Sequence, residues 1–238
     1  MNNPSEKLIA VVGTMKAGKS TVINAIVGRE VLPTRELPMT TIPTLVRHVP
    51  GQTEPVLEFS QKSTIEALLP QLATAISNPK NTSIIESSLC CSYNDQLIPS
   101  ILDFVYRNKK LKKQYTGSIQ ILEFLRSLND FTGLCRYLDI DFPFEKFNHI
   151  QNLPTISVEF QSLKYLNNPA QVQLALLNTP GPNESGQVHL REMLQDQLEK
   201  SSAVLAILDY TQLKSDANGL CCTTGTSHVV KCGRHGFP

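Results

Sequence analysis

The chain has 238 residues, with 22 Lys+Arg against 21 Asp+Glu and a formal net charge of +1. That length suits one large domain or two small ones, and a near-neutral balance excludes nucleic-acid or anionic-membrane binding through bulk charge. Hydrophobic residues make up 41% of the chain, which excludes wholesale disorder. No apolar run approaches the roughly 18 residues of a membrane span, and the start Met-Asn-Asn-Pro-Ser-Glu-Lys lacks the cationic region of a signal peptide. A cytoplasmic protein is expected. Its cysteines (Cys90, Cys91, Cys135, Cys221, Cys222 and Cys232) are too clumped for a disulfide framework.

In chain order, the uninterrupted apolar run Leu8–Val12 predicts a strand buried on both faces. A helix is expected over Thr21–Val27, ended by Gly28. Val31–Thr44, with Pro33, Pro38 and Pro43, reads as a loop. Strands are predicted at Glu54–Phe59, Thr155–Phe160, Val172–Leu177 and Ala203–Leu208. An amphipathic helix is predicted at Gln187–Lys200, with Leu190, Met193, Leu194 and Leu198 on one stripe. From about Thr64 to Asn152 the pattern is helical instead. Ile65, Leu68, Leu69, Leu72 and Ile76 share one helical spacing, and Ile119, Leu122, Leu125 and Leu128 another. This stretch reads as a helical insertion in an α/β doubly wound sheet. The tail from Asp216 has no hydrophobic period and holds three of the 6 Cys and four of the 12 Gly. The expected organisation is one domain over 1–215 and an atypical tail over 216–238.

Gly13-Thr14-Met15-Lys16-Ala17-Gly18-Lys19-Ser20 matches G-x-x-x-x-G-K-S in full. The glycines let backbone N–H groups turn inward around phosphate oxygens, and the following helix adds the positive end of its dipole. Lys19 would reach the β- and γ-phosphates, and Ser20 would ligate Mg²⁺. Lys16 is either a solvent-facing charge or a second cation supplied near the γ-phosphate. Thr40 stands where a loop threonine could close on the cation and the γ-phosphate. Leu176-Leu177-Asn178-Thr179-Pro180-Gly181 ends an apolar strand where a nucleotide-switch turn would read Asp-x-x-Gly. Asn178 keeps an oxygen there and loses the charge that Mg²⁺ favours. An ordinary strand-end turn is the alternative.

These motifs together resemble the dynamin superfamily of large GTPases: the phosphate loop, Leu32-Pro33 with Thr40, and Asn-Thr-Pro-Gly-Pro-Asn-Glu at 178–184. Ala10–Val27, Pro38–Pro55 and Ser202–Ser215 are similar to a bacterial subgroup whose members contact the sliding clamp of DNA polymerase. The resemblance runs from about Lys7 to Ser215. It implies a P-loop NTPase fold of the GTPase type, C-terminally truncated, with GTP and Mg²⁺ as ligands and self-association through the GTPase face. It implies nucleotide contacts from Gly13, Thr14, Met15, Lys16, Ala17, Gly18, Lys19, Ser20, Thr21, Asn178 and Gly181. Ser20 and Thr40 would be the metal ligands, and Lys16 and Thr40 the catalytic residues. Met15 falls where dynamins place a catalytic glutamine. The family's guanine-reading Asn/Thr-Lys-x-Asp motif is not matched; Lys214-Ser215-Asp216 has the spacing, but Leu213 precedes it. The segment that carries clamp contact in the subgroup is likewise not found. A non-catalytic or decayed fragment, and a P-loop protein of other base specificity, are the competing readings.

Elsewhere the bland readings lead. Arg107–Lys113 is a solvated basic turn, Asp139 and Asp141 an exposed turn, and Cys90-Cys91 packed thiols. Cys221, Cys222, His228, Cys232 and His235 carry zinc-type ligands, but at no known finger spacing.

Overall fold

A computed structural model describes residues 6–14, 16–34, 42–78, 81, 111–164, 173–181 and 188–208, with backbone alone at 188–193. The strands are β1 (Lys7–Gly13), β2 (Thr44–His48), β3 (Val56–Glu58), β4 (Gln114–Thr116), β5 (Thr155–Val158), β6 (Leu174–Asn178) and β7 (Ala203–Ile207). The α-helices are α1 (Lys19–Val27), α2 (Lys62–Ile76), α3 (Ser118–Tyr137) and α4 (Val188–Lys200). The strands form one mixed sheet in the order β4-β3-β5-β2-β6-β1-β7.

The apolar run at the start becomes a central strand. β1 lies parallel to both β6 and β7 and buries Ala10 and Val11 completely. Helix α1 packs on β1 and β6, and α4 packs on β1. These are the α/β layers that strand–helix alternation predicts. The strand at 44–48 is the main element that periodicity misses. Pro43 sits at its threshold, and Arg47 and His48 look wrong for the middle of a sheet. Local pairing makes them tolerable. The Arg47 guanidinium binds Glu6 at both carboxylate oxygens (2.6 and 3.1 Å). His48 Nδ1 accepts the Phe160 N–H at 2.9 Å, with its ring tilted on Phe160.

Within the helical stretch, the structure places α2 and α3 and also an edge strand. β4 pairs antiparallel with β3, Leu57 opposite Tyr115. The inward face of α3 begins at Ile121 and continues through Phe124, Leu125, Leu128, Phe131 and Leu134. Ile119, expected on that stripe, is 74% exposed. It lies one residue past the start of the helix, before the buried face begins. Phe124 fixes the register: it stacks on Tyr115 at 4.2 Å and meets Phe59 edge-on at 5.0 Å. Asp139 and Asp141 are exposed, as expected. Asp139 (φ 53°) closes α3 in the left-handed conformation, and the Ile140 N–H returns to the Cys135 carbonyl.

Candidate nucleotide site

Three segments meet at one end of the sheet because of how β1, β2 and β6 are registered. β1 and β6 run parallel with Val11 opposite Asn178, so the loop after β1 and the turn after β6 leave side by side. β2 runs antiparallel to β6 with Thr44 opposite Asn178, so Ile42-Pro43-Thr44 enters at that same end. Ligand sites of open α/β sheets lie beyond the carboxyl ends of the strands.

The phosphate loop is held tightly at its base. A Cβ on Gly13 would collide with the Ile207 carbonyl oxygen of β7, so that position admits only glycine. Gly18 (φ 93°) is the N-cap of α1 in the left-handed region. It offers no side chain, and no acidic residue occupies the first turn. The amides at the start of α1 therefore receive no side-chain cap, and an anion is their natural partner. Lys19 is 7% exposed, and its Nζ donates to the carbonyls of Gly13 (2.8 Å) and Thr14 (2.9 Å). The ammonium is thus folded back over the loop it would share with a phosphate. Thr14 Oγ1 is buried, with no hydrogen-bond partner among the described residues. Lys16 adopts φ 63°, uncommon for a residue with a Cβ, and its side chain is exposed. Ala17 is buried and Thr21 exposed.

From β6, buried Asn178 turns its Nδ2 toward Ser20 Oγ at 3.5 Å. Thr179 donates its hydroxyl to the Val11 carbonyl at 2.8 Å, which locks the turn onto β1. Gly181 is buried beyond it. The structure therefore brings together Gly13, Thr14, Lys16, Ala17, Gly18, Lys19, Ser20, Asn178 and Gly181. Met15 and Thr40 lie outside the described residues, as do the basic run before Leu111, Cys90-Cys91 and the whole tail.

Asn24 is a residue that sequence reasoning missed. From α1, its Oδ1 accepts the N–H groups of Val31 (3.0 Å) and Leu32 (2.9 Å), and its Nδ2 donates to the Leu32 carbonyl (2.8 Å). One carboxamide thereby fixes where the chain leaves the helix. The available signal was an amide in the last turn of a helix followed by the buried pair Val31-Leu32. Three described groups outside the site have shifted pKa values. Burial pushes the Cys135 thiol up to about 12. Burial also raises the Tyr115 phenol, although the Lys112 N–H opposes it. Glu159 is held below its ordinary value, first by the Gly51 N–H and then by Lys164.

Residues 9–221 match the family model described as the dynamin family. This chain belongs to the dynamin family. Members of that superfamily are GTPases. The chain is 48% identical over 214 residues to the clamp-binding protein CrfC of Escherichia coli strain K12, covering 88% of the chain and 28% of that protein. A second Escherichia coli CrfC sequence matches to the same extent. The chain thus spans less than a third of the length of these relatives. Two solved structures of an oligomerised bacterial dynamin pair that senses and tethers membranes also align over 92% of the chain. Their identities are 17% and 16%, their TM-scores 0.43 and 0.41, and the alignments cover 30% and 25% of those chains. Among the described residues, no helix is long and apolar enough to cross a membrane.

The dynamin family implies a nucleoside triphosphate and Mg²⁺. The uncapped α1 amides and buried Lys19 fit a polyphosphate. The fit to a divalent cation is poor. Gly13–Val27, Ile42–Thr44 and Asn178–Gly181 contain no Asp or Glu. The described side-chain oxygens there belong to the Ser20 hydroxyl, the hydroxyls of Thr14, Thr21, Thr44 and Thr179, and the carboxamides of Asn24 and Asn178, all of them neutral. Mg²⁺ favours carboxylate oxygen.

Proposed function

We propose that this chain binds GTP in the loop Gly13–Ser20 and hydrolyses it to GDP and phosphate, as a dynamin-like GTPase domain. The observation that supports this best is the buried Lys19 ammonium, folded over Gly13 and Thr14 at the uncapped start of α1. On binding, Nζ exchanges one or both carbonyls for oxygens of the β- and γ-phosphates, and the amides of Gly18, Lys19 and Ser20 close around the polyphosphate. Water attacks the γ-phosphorus as the bond to the bridging oxygen breaks. The negative charge that develops lies beside Lys19 and within reach of the exposed Lys16, which supplies its cation from the same chain. Gly181, in the turn after β6, is the proposed N–H donor to the γ-phosphate. Ser20 and Thr40 are the residues whose hydroxyls would hold an accompanying Mg²⁺, which would supply screening of the phosphate charge.

The cytoplasm is the proposed compartment, where nucleotide is supplied and a free thiol such as Cys135 persists. Self-association through the GTPase face and a contact with the sliding clamp of DNA polymerase are proposed from the family and from the identity to CrfC. The hydrolysis reading is tested by steady-state phosphate release. Lys19→Ala abolishes turnover. Lys16→Ala lowers kcat more than it weakens binding, because only contacts stronger in the transition state raise the rate. Equal loss in kcat and affinity would make Lys16 a plain binding residue, and no loss would leave it a surface charge.

A further inference from the structure

We propose that this site holds a nucleotide's polyphosphate about as tightly without a divalent cation as with one, and that residue 178 sets this independence. The inference rests on the nucleotide reading above and deepens it. The three segments that converge on the site bring two cations, Lys16 and Lys19, and no carboxylate. Where a carboxylate faces bound phosphates, a divalent cation does two jobs. It bridges the two anions, and it screens their repulsion. Removing the metal then costs affinity, because like charges are left facing each other in a partly dry cleft. Here the corresponding position, at the end of β6 and opposite both Val11 and Thr44, carries the neutral Asn178.

The carboxamide also turns its NH₂ to the Ser20 hydroxyl, so what stands beside that hydroxyl is a donor and not a carboxylate oxygen. A donor there is favourable to phosphate oxygen with or without metal. Lys19 and the α1 amides already supply positive charge, and neutral hydroxyls such as that of Ser20 are a weak hold on a hard cation that dehydrates reluctantly. Metal chelation therefore removes chiefly a ligand of the nucleotide, and only a weak tie between nucleotide and protein.

The test measures affinity of the full chain for a ribose-labelled, non-hydrolysable GTP analogue by fluorescence anisotropy, in excess Mg²⁺ and in excess EDTA. The wild-type Kd is expected to change by less than about threefold between the two conditions. Asn178→Asp is expected to bind at least about tenfold more weakly in EDTA than in Mg²⁺. Asn178→Ala, which adds no charge, is expected to stay insensitive to metal. A wild-type Kd that weakens tenfold or more in EDTA overturns the proposal while leaving the nucleotide reading intact. An alanine variant that becomes metal-dependent, or a folded aspartate variant as insensitive as wild type, removes residue 178 from the argument. No binding by wild type in either condition overturns the nucleotide reading and the inference with it. If the aspartate variant loses its cooperative melt, the wild-type and alanine comparisons still decide the first claim.

Discussion

Asn24→Ala is the substitution whose cost can be worked most directly from this structure. It deletes an acceptor of two backbone N–H groups and a donor to one carbonyl, all within Val31-Leu32. Val31 and Leu32 are 0% and 1% exposed, so water reaches the stranded groups poorly unless the segment lifts off. A net hydrogen bond is worth about 1 kcal/mol, and each polar group left buried without a partner adds about 1–3 kcal/mol. Three such groups would sum to about 3–9 kcal/mol if the segment stayed down; lifting of the segment lets water relieve them, and the expected net loss is about 2–3 kcal/mol. For a chain of this size that is a fall in Tm of about 5–10 °C. Equilibrium urea unfolding measures the free energy, and amide hydrogen exchange resolves its place. Faster exchange should be confined to the Val31 and Leu32 amides and their immediate neighbours. A loss under about 0.5 kcal/mol with unchanged exchange at both amides would refute the anchoring role.

Further outcomes follow from single contacts. Gly28→Ala should destabilise by about 2–4 kcal/mol, the sum of a left-handed φ and a forced contact; a Cβ there would stand 2.5 Å from Gln161 Cβ and 2.7 Å from its Cγ. Gly51→Ala is the control by denaturation: φ is similar at 79°, but nothing lies within 4 Å, so only the backbone cost of about 1 kcal/mol should appear. Glu159 has a lowered folded-state pKa, so its contribution is present above its ordinary value of 4.5 and lost as pH falls through the depressed one. A pH series of melting temperatures should therefore show a shallower acid limb for Glu159→Gln than for wild type. Cys135, buried and pushed up to about 12, should resist iodoacetamide at pH 8 in the native chain and react readily once unfolded. Peptide mapping by mass spectrometry reads both states.

The parts that were legible in the sequence are those where one local rule dominates. An unbroken apolar run gave β1, a glycine-and-lysine spacing gave the phosphate loop, and Gly28 gave the end of α1. The parts that were not legible depend on partners distant in sequence. β2 was hidden because Arg47 and His48 become acceptable only once Glu6 and Phe160 are beside them. β4 is too short for any period to register, and its place rests on hydrogen bonds to β3. Asn24 carries no motif of its own; its role exists only after the chain has turned back over α1. The convergence of the loop after β1 with Asn178 was expected from motif order. The antiparallel entry of β2 at the same end was not, since it needs the register Thr44 opposite Asn178.

The most direct test of the central claim is equilibrium binding of labelled GTP to the wild-type chain and to Lys19→Ala, measured side by side with both melts recorded. Removing Lys19 strands the Gly13 and Thr14 carbonyls that its Nζ binds, so a modest fall in melting temperature is expected, and the melts establish that both proteins are folded at the assay temperature. Loss of a buried ammonium facing phosphate should weaken binding by at least about thirtyfold, or about 2 kcal/mol. Saturable wild-type binding that disappears in the variant, with both proteins folded, is the result predicted here. Equal affinity in the two proteins would contradict it and move the nucleotide, if any, away from the loop between β1 and α1.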